Sequence, residues 1–350
     1  PSGAVCQVER PHHRAPRPSE GRARTLLIRA GQERSVWAWS DSDEVVNRGF
    51  MHHHGRCMSE TPSLRIWLTG ARPRTLPAAV VPVAVGTAVG IDADGWSAVC
   101  WTRVLLALAV SLLLQIGVNY ANDYSDGVRG TDDVRVGPVR LVASGLASAN
   151  QVRAAALLSL SLAAVAGLLL VAMTSWWLML IGVAALLSAW GYTGGPKPYG
   201  YLGLGELFVF VFFGLVATAG TTFAAIIDLP WRSWVAGVGV GALACALLVV
   251  NNLRDLPIDS EVGKKTLAVR LGDNRTRTFY VALIGVAVVS VIAMRNAGAL
   301  LALLVVLPAW SVIQKIRQGA VGRELIPVLG ATGRLQLLFG LLLSVGLVVL

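Results

Sequence analysis

The chain has 350 residues, of which 55% are hydrophobic and only 14% charged, with a formal net charge of +10. A soluble domain carries about 25% charged residues, so this composition, with a mean hydropathy of +0.62, excludes an ordinary soluble fold. The positive charge does not mark a nucleic-acid binder, because nine of the 30 Lys and Arg precede residue 58 and most others sit in short loops between apolar runs.

Residues 1–57 are rich in Arg, Pro, Ser and Gly and hold no run able to bury a core. They read as a disordered or mis-assigned N-terminal extension ahead of Met58, with an Arg-rich arm on anionic lipid as the functional alternative. Residues 58–350 form the transmembrane domain. Nine hydrophobic spans follow at 75–91, 103–123, 152–173, 175–193, 203–227, 232–252, 278–294, 297–314 and 331–350. Runs of this length match the roughly 20 residues that a helix needs to cross hydrocarbon, so the fold class is all-α and polytopic. Loops on the amino-terminal side carry 18 Lys and Arg, from Arg65 to Arg334, against Arg103, Arg232 and Arg295 on the other. That bias places the amino terminus and the long loops 124–151 and 253–277 in the cytoplasm.

All five His lie before residue 58, and Cys6, Cys57, Cys100 and Cys245 form no CxxC pair. Any metal in the membrane domain must therefore be held by oxygen, which favours Mg²⁺.

The second span ends in QIGVNYANDYSDGVRGTDD. Asn119, Asn122, Asp123 and Asp126 fall within an arc of about 100° on one helix, with Asp132 and Asp133 just beyond. Carboxylates at membrane depth are costly unless they meet water, a cation or a partner. The sixth span ends in VVNNLRDLPIDSEVGKKT, where Asn251, Asn252, Asp255 and Asp259 repeat the helical spacing. Each cluster is followed by Gly and bases: Arg129 after the first, and Lys264 and Lys265 after the second. Acids for cations beside bases for phosphate oxygens suit a Mg²⁺-diphosphate complex. Pro257 is expected to break the helix before Asp259, leaving that residue on a following turn.

A third cytoplasmic element, YTGGPKPYGYLGLGE, runs from Tyr192 to Glu206. Its Gly and Pro forbid a regular helix. Lys197 suits a diphosphate contact and equally an ordinary positive-inside loop. Tyr192, Tyr199 and Tyr201 suit an aromatic, cation-stabilising site and equally an interfacial belt. Arg72 and Arg74 read as topology anchors, with binding of an acidic substrate group as the alternative.

These motifs resemble the two Asp-rich motifs of the UbiA-type intramembrane prenyltransferases. Within them the chain is most similar to the MenA branch, the 1,4-dihydroxy-2-naphthoate polyprenyltransferases. ARPRTLPAA, RVGPVRLVASGL, YTGGPKPYGYLGLGE and GKKTLAVRLG carry that closer resemblance. It spans about residues 62–350 and implies nine helices around a central cavity under cytoplasmic cap loops. It implies transfer of a polyprenyl group from polyprenyl diphosphate to dihydroxynaphthoate, with loss of CO₂ and diphosphate, giving demethylmenaquinone. Asn122, Asp123 and Asp126 would hold one Mg²⁺ and Asp255 and Asp259 a second, with Asn119 and Asn252 supporting. Arg129, Arg140, Lys197, Lys264 and Lys265 are the diphosphate candidates, and Tyr192 an aromatic one. Transfer to 4-hydroxybenzoate or another aromatic acceptor is the alternative within this chemistry; a secondary transporter is the alternative outside it.

Overall fold

The structure, a computed structural model, describes residues 62–130, 139–195 and 198–350. The extension 1–57, Asp132, Asp133 and Lys197 lie outside the described residues.

The described residues are helical throughout, with no strand among them. Backbone polar groups in hydrocarbon must be paired within their own segment, and a helix does this for every apolar run. The elements are α1 (Leu64–Ala71), α2 (Pro77–Asp94), α3 (Trp101–Val128), α4 (Ala149–Met173), α5 (Trp177–Gly191) and α6 (Gly205–Ile226). Then come α7 (Trp231–Glu261), the short α8 (Leu267–Leu271), α9 (Asp273–Ala293), α10 (Gly298–Arg317) and α11 (Leu325–Val349). Eight of these helices are long and apolar enough to cross a membrane, and α5, at 15 residues, is a shorter apolar helix. The chain is thus a multi-pass membrane protein, close to the nine spans expected.

Local chemistry sets the boundaries. Pro77 opens α2 at a position where no donor is needed. Ser148 caps α4 through a reciprocal pair with Gln151. Where α6 passes α7, its turn Phe210–Val216 widens into a π-helix.

Packing divides the bundle unevenly. α2, α7, α9, α10 and α11 share one dry core around Val85, Val240, Leu243, Tyr280 and Phe339. The other helices close less tightly. Between α3, α4, α5, α6 and α7 lies a mostly apolar cavity of about 1150 Å³. It reaches along α7 from Arg254 to Trp234, which at 1.5 Å per residue is about 30 Å, the thickness of the hydrocarbon core.

The expectation for Pro257 is corrected. α7 runs without a break from Trp231 to Glu261 with Pro257 inside it. A proline deletes one amide donor and crowds the carbonyl four residues before it, here that of Leu253; its own φ is helical, so the residues after it continue the helix to Glu261. Asp255 and Asp259 therefore stand on one helix, a turn apart.

Candidate active site

At the Arg-rich end, the large cavity meets a polar chamber of about 80 Å³. Arg72, Asn122, Arg140, Tyr192 and Asn251 line both spaces, so the two are continuous. Asp126 enters the chamber from α3; Asn252, Asp255 and Asp259 enter from α7. All four side chains are buried. The two Asn/Asp clusters, 125 or more residues apart in sequence, thus share one chamber.

Three loops supply its bases and hydroxyls. Asp126 accepts a hydrogen bond from the Tyr201 hydroxyl at 2.6 Å and from Lys264 Nζ at 3.3 Å. The Arg140 guanidinium lies 3.7 Å from its other oxygen. Lys264 also stands 4.6 Å from the centre of the Tyr201 ring. Thr193 donates to Asn122 Oδ1 at 2.7 Å. The inward aim of Lys264 is set by how α7 stops. Gly263 takes φ +76°, Gly263 N–H bonds the Ser260 carbonyl, and Lys264 N–H bonds that of Asp259 at 2.8 Å. This is a Schellman ending, in which glycine alone meets the left-handed turn without strain.

The electrostatics keep Lys264 charged. Burial would lower its pKa, but the negative charge of Asp126, with Tyr201 and Asp259 behind it, raises it above the ordinary lysine value. Burial, then Asp126, pushes the Tyr201 phenol up, so it remains a donor. Tyr192 is likewise raised, by burial first and then by the charge of Glu206.

Deeper in, an aromatic wall begins. Tyr192 meets Tyr199 edge-on at 5.5 Å, Tyr199 stacks on Phe208 at 4.0 Å, and Phe208 lies 6.1 Å from Phe212. All four rings line the large cavity.

A sequence model described as the UbiA prenyltransferase family matches residues 79–321. The chain belongs to the UbiA prenyltransferase family. It is 51% identical over 278 residues to the 1,4-dihydroxy-2-naphthoate octaprenyltransferase of Mycobacterium tuberculosis, covering 79% of this chain and 94% of that one. It is 34% identical to the enzyme of the same name from Haemophilus influenzae, covering 82% and 96%. Among solved structures, a UbiA homolog from Archaeoglobus fulgidus bound to DMAPP and Mg²⁺ superposes with a TM-score of 0.57 at 18% identity. The match covers 81% of this chain and 99% of that one, and it shows the shared fold.

In this UbiA-family chain the expected residues do not all gather in the chamber. Asn122, Asp126, Asp255, Asp259, Asn252, Arg140, Lys264 and Tyr192 line it. Asn119 is occupied elsewhere: its amide donates to Ala71 O at 2.8 Å and Thr75 Oγ1 at 3.0 Å, and its oxygen accepts from Gln115. Arg129 turns to the carbonyls of Thr193 and Gly195, at 2.5 and 2.6 Å. Lys265 is exposed; its backbone N–H holds the Tyr201 carbonyl. Asp123 is fully buried on the backbone amides of Leu141 and Val142. Helical phase explains the split on α3. Asn122 and Asp126 lie on one side of the 100° arc, Asn119 and Asp123 on the other.

Five contributors were missed or underweighted by sequence reasoning. Arg254 grips Asp255 with two bonds of 2.7 Å, and its place beside the acid in NNLRD was the available signal. Arg72, read first as a topology anchor with an acidic substrate group as the alternative, lines both spaces. Thr193 and Thr266, inside YTGGPKPYGYLGLGE and GKKTLAVRLG but not singled out there, also line the chamber. Glu206, in the first turn of α6, accepts from Asn252 at 2.9 Å and so fixes that amide.

Proposed function

We propose that the chain transfers a polyprenyl group from polyprenyl diphosphate to 1,4-dihydroxy-2-naphthoate, releasing diphosphate and CO₂. The product has the demethylmenaquinone skeleton in its reduced form. The observation that carries this reading is a small acid-and-base chamber opening directly into a membrane-length apolar cavity. One accommodates a diphosphate head and the other an isoprenoid tail. The acceptor follows from the names of the relatives. The concentration of Lys and Arg on the chamber side supports a cytoplasmic site in the plasma membrane, with the amino terminus on the same side.

The donor set fits Mg²⁺. Asp126, Asp255 and Asp259 with the amides of Asn122 and Asn252 offer oxygen ligands only. Among the described residues no three acids close into a ready-made metal cluster. Mg²⁺ needs none, since it uses one or two carboxylates and takes the rest from substrate phosphates and water. Asn122 and Asp126 would hold one ion and Asp255 and Asp259 a second. Bound there, Mg²⁺ neutralises the diphosphate and makes it a better leaving group.

The chain's own groups do the remainder. Lys264 and Arg140, resting on Asp126, are positioned to take phosphate oxygens and to stabilise the negative charge that grows on the departing diphosphate. The Tyr192, Tyr199, Phe208 and Phe212 rings offer their faces to the allylic cation left behind. The apolar walls keep out the water that would capture that cation. The ring carbon of the naphthoate that bears the carboxylate then forms the new C–C bond, and CO₂ leaves as the ring rearomatises.

Asp126→Ala and Asp255→Ala should each lower turnover at least about a hundredfold, as loss of charge stabilisation at a reacting centre does, in protein that still folds. Near-normal turnover in both would remove the shared chamber as the site.

A further inference from the structure

We propose that Asp123 is a positioning residue, whose buried carboxylate fixes the loop 140–147 so that Arg140 faces the phosphate end of the chamber. The inference rests on the prenyl-transfer reading above and assigns Asp123 a role other than metal ligand.

Asp123 and Asp126 stand on adjacent turns of α3, about 60° apart around its axis. Their places relative to the chamber differ. Asp126 lines the chamber, whereas Asp123 contributes nothing to its walls and is 0% exposed. Asp123 Oδ2 accepts the Leu141 N–H at 2.9 Å, and Oδ1 accepts that of Val142 at 3.0 Å. These are the first donors of a turn that Arg140 opens, its carbonyl accepting Ser144 N–H at 3.0 Å. The leading N–H groups of a helical turn have no partner inside it. Here a carboxylate from another helix supplies both acceptors, in charge-assisted bonds stronger than neutral ones.

Two further contacts hold the same segment. The Leu141 side chain is fully buried with Tyr120, Ala121, Val152 and Ala156. One turn beyond Asp123, Gly127 lets the loop approach, since a Cβ there would lie 2.6 Å from Val142 Cβ. Arg140 precedes this clamped pair directly, and its guanidinium emerges 3.7 Å from Asp126 Oδ2. One face of α3 therefore grips the backbone of the loop, and the next carries the carboxylate that meets its charged side chain.

The test is steady-state prenyl transfer by the full chain in lipid–detergent micelles, comparing Asp123→Asn, Arg140→Gln and the double variant. An Asn at 123 can accept one amide and opposes the other with its own N–H₂. Asp123→Asn should raise KM for the prenyl diphosphate about ten- to hundredfold, the range for one lost bond to a charged group. The Mg²⁺ concentration for half-maximal rate should stay within about twofold of wild type, since a group outside the ion's ligand set does not alter its affinity directly. In the Arg140→Gln background, Asp123→Asn should add less than about twofold, because coupled residues are not additive. A tenfold rise in the Mg²⁺ requirement, or full additivity in the double variant, would overturn the assignment. Should Asp123→Asn not fold, hydrogen exchange of the wild type decides. Leu141 and Val142 amides should exchange slowly both with and without Mg²⁺ and prenyl diphosphate. Their release on addition would mean that the carboxylate turns to the metal, and the inference fails. Failure of the underlying reading looks different, since Asp126→Ala would then turn over normally.

Discussion

Tyr201 and Lys264 form the most interdependent contact in the chamber. The phenol donates to Asp126, the ammonium rests both on Asp126 and over the phenol ring, and both pKa values move up. A raised lysine pKa means that the charged contact is complete below the ordinary lysine value near 10.4 and is lost only as pH rises through the higher one. Lys264 should therefore remain an ammonium across about pH 6 to 9. Lys264→Ala should lower kcat/KM for the prenyl diphosphate about ten- to hundredfold, the worth of a charged hydrogen bond. The pH profiles of variant and wild type should run parallel below about pH 9, because no proton leaves Lys264 there. An alkaline limb that disappears in the variant at lower pH would show that Lys264 titrates in the working range.

At the scale of elements, the decisive feature is that α3 and α7 outrun their apolar stretches. Hydropathy ends these spans at 123 and 252, whereas the helices continue to Val128 and Glu261. Hydropathy reports the thickness of hydrocarbon; a helix ends where its backbone bonds and caps end it. The extra turns are what present Asp126, Asp255 and Asp259 from helical faces. The clusters themselves were legible because 100° periodicity needs only sequence. Which side of the arc faces the chamber was not, since Asn119 and Asp123 are claimed by Ala71, Thr75, Leu141 and Val142, contacts that depend on loop paths. Pro257 misled for a different reason: the turn that a proline disturbs lies before it, so Asp259 after it stays helical. Arg254 was hidden as one more loop charge until the longer helix placed it beside its partner. The same scale yields a test. Gly263→Ala forces a left-handed residue with a Cβ, at about 1–2 kcal/mol, and should lower thermal stability by that amount. It should also raise KM for the prenyl diphosphate, because the turn that aims Lys264 relaxes. An unchanged KM at reduced stability would mean that Lys264 finds its place without the Schellman ending.

Across the whole molecule, the uneven packing separates duties. The core of α2, α7, α9, α10 and α11 holds the frame, and the looser α3 to α6 side leaves room for a long apolar tail. Gly220 on α6 faces that room: it lines the cavity, and a Cβ there would meet nothing within 4 Å. Gly220→Phe should leave the fold intact and fill part of the tail space. Transfer from a long polyprenyl diphosphate should fall at least about tenfold, while a short prenyl diphosphate should be used nearly as before, as expected when only the tail loses room. Equal losses for both lengths would place the tail elsewhere.

Chamber and cavity serve one reaction, and the choice of acceptor reads it out. Purified full-length protein in lipid would receive Mg²⁺, a radiolabelled polyprenyl diphosphate and either 1,4-dihydroxy-2-naphthoate or 4-hydroxybenzoate. The expected result is a labelled lipid product with release of CO₂ from the naphthoate, dependent on Mg²⁺ and absent in Asp126→Ala. A labelled product from 4-hydroxybenzoate and none from the naphthoate would contradict the account.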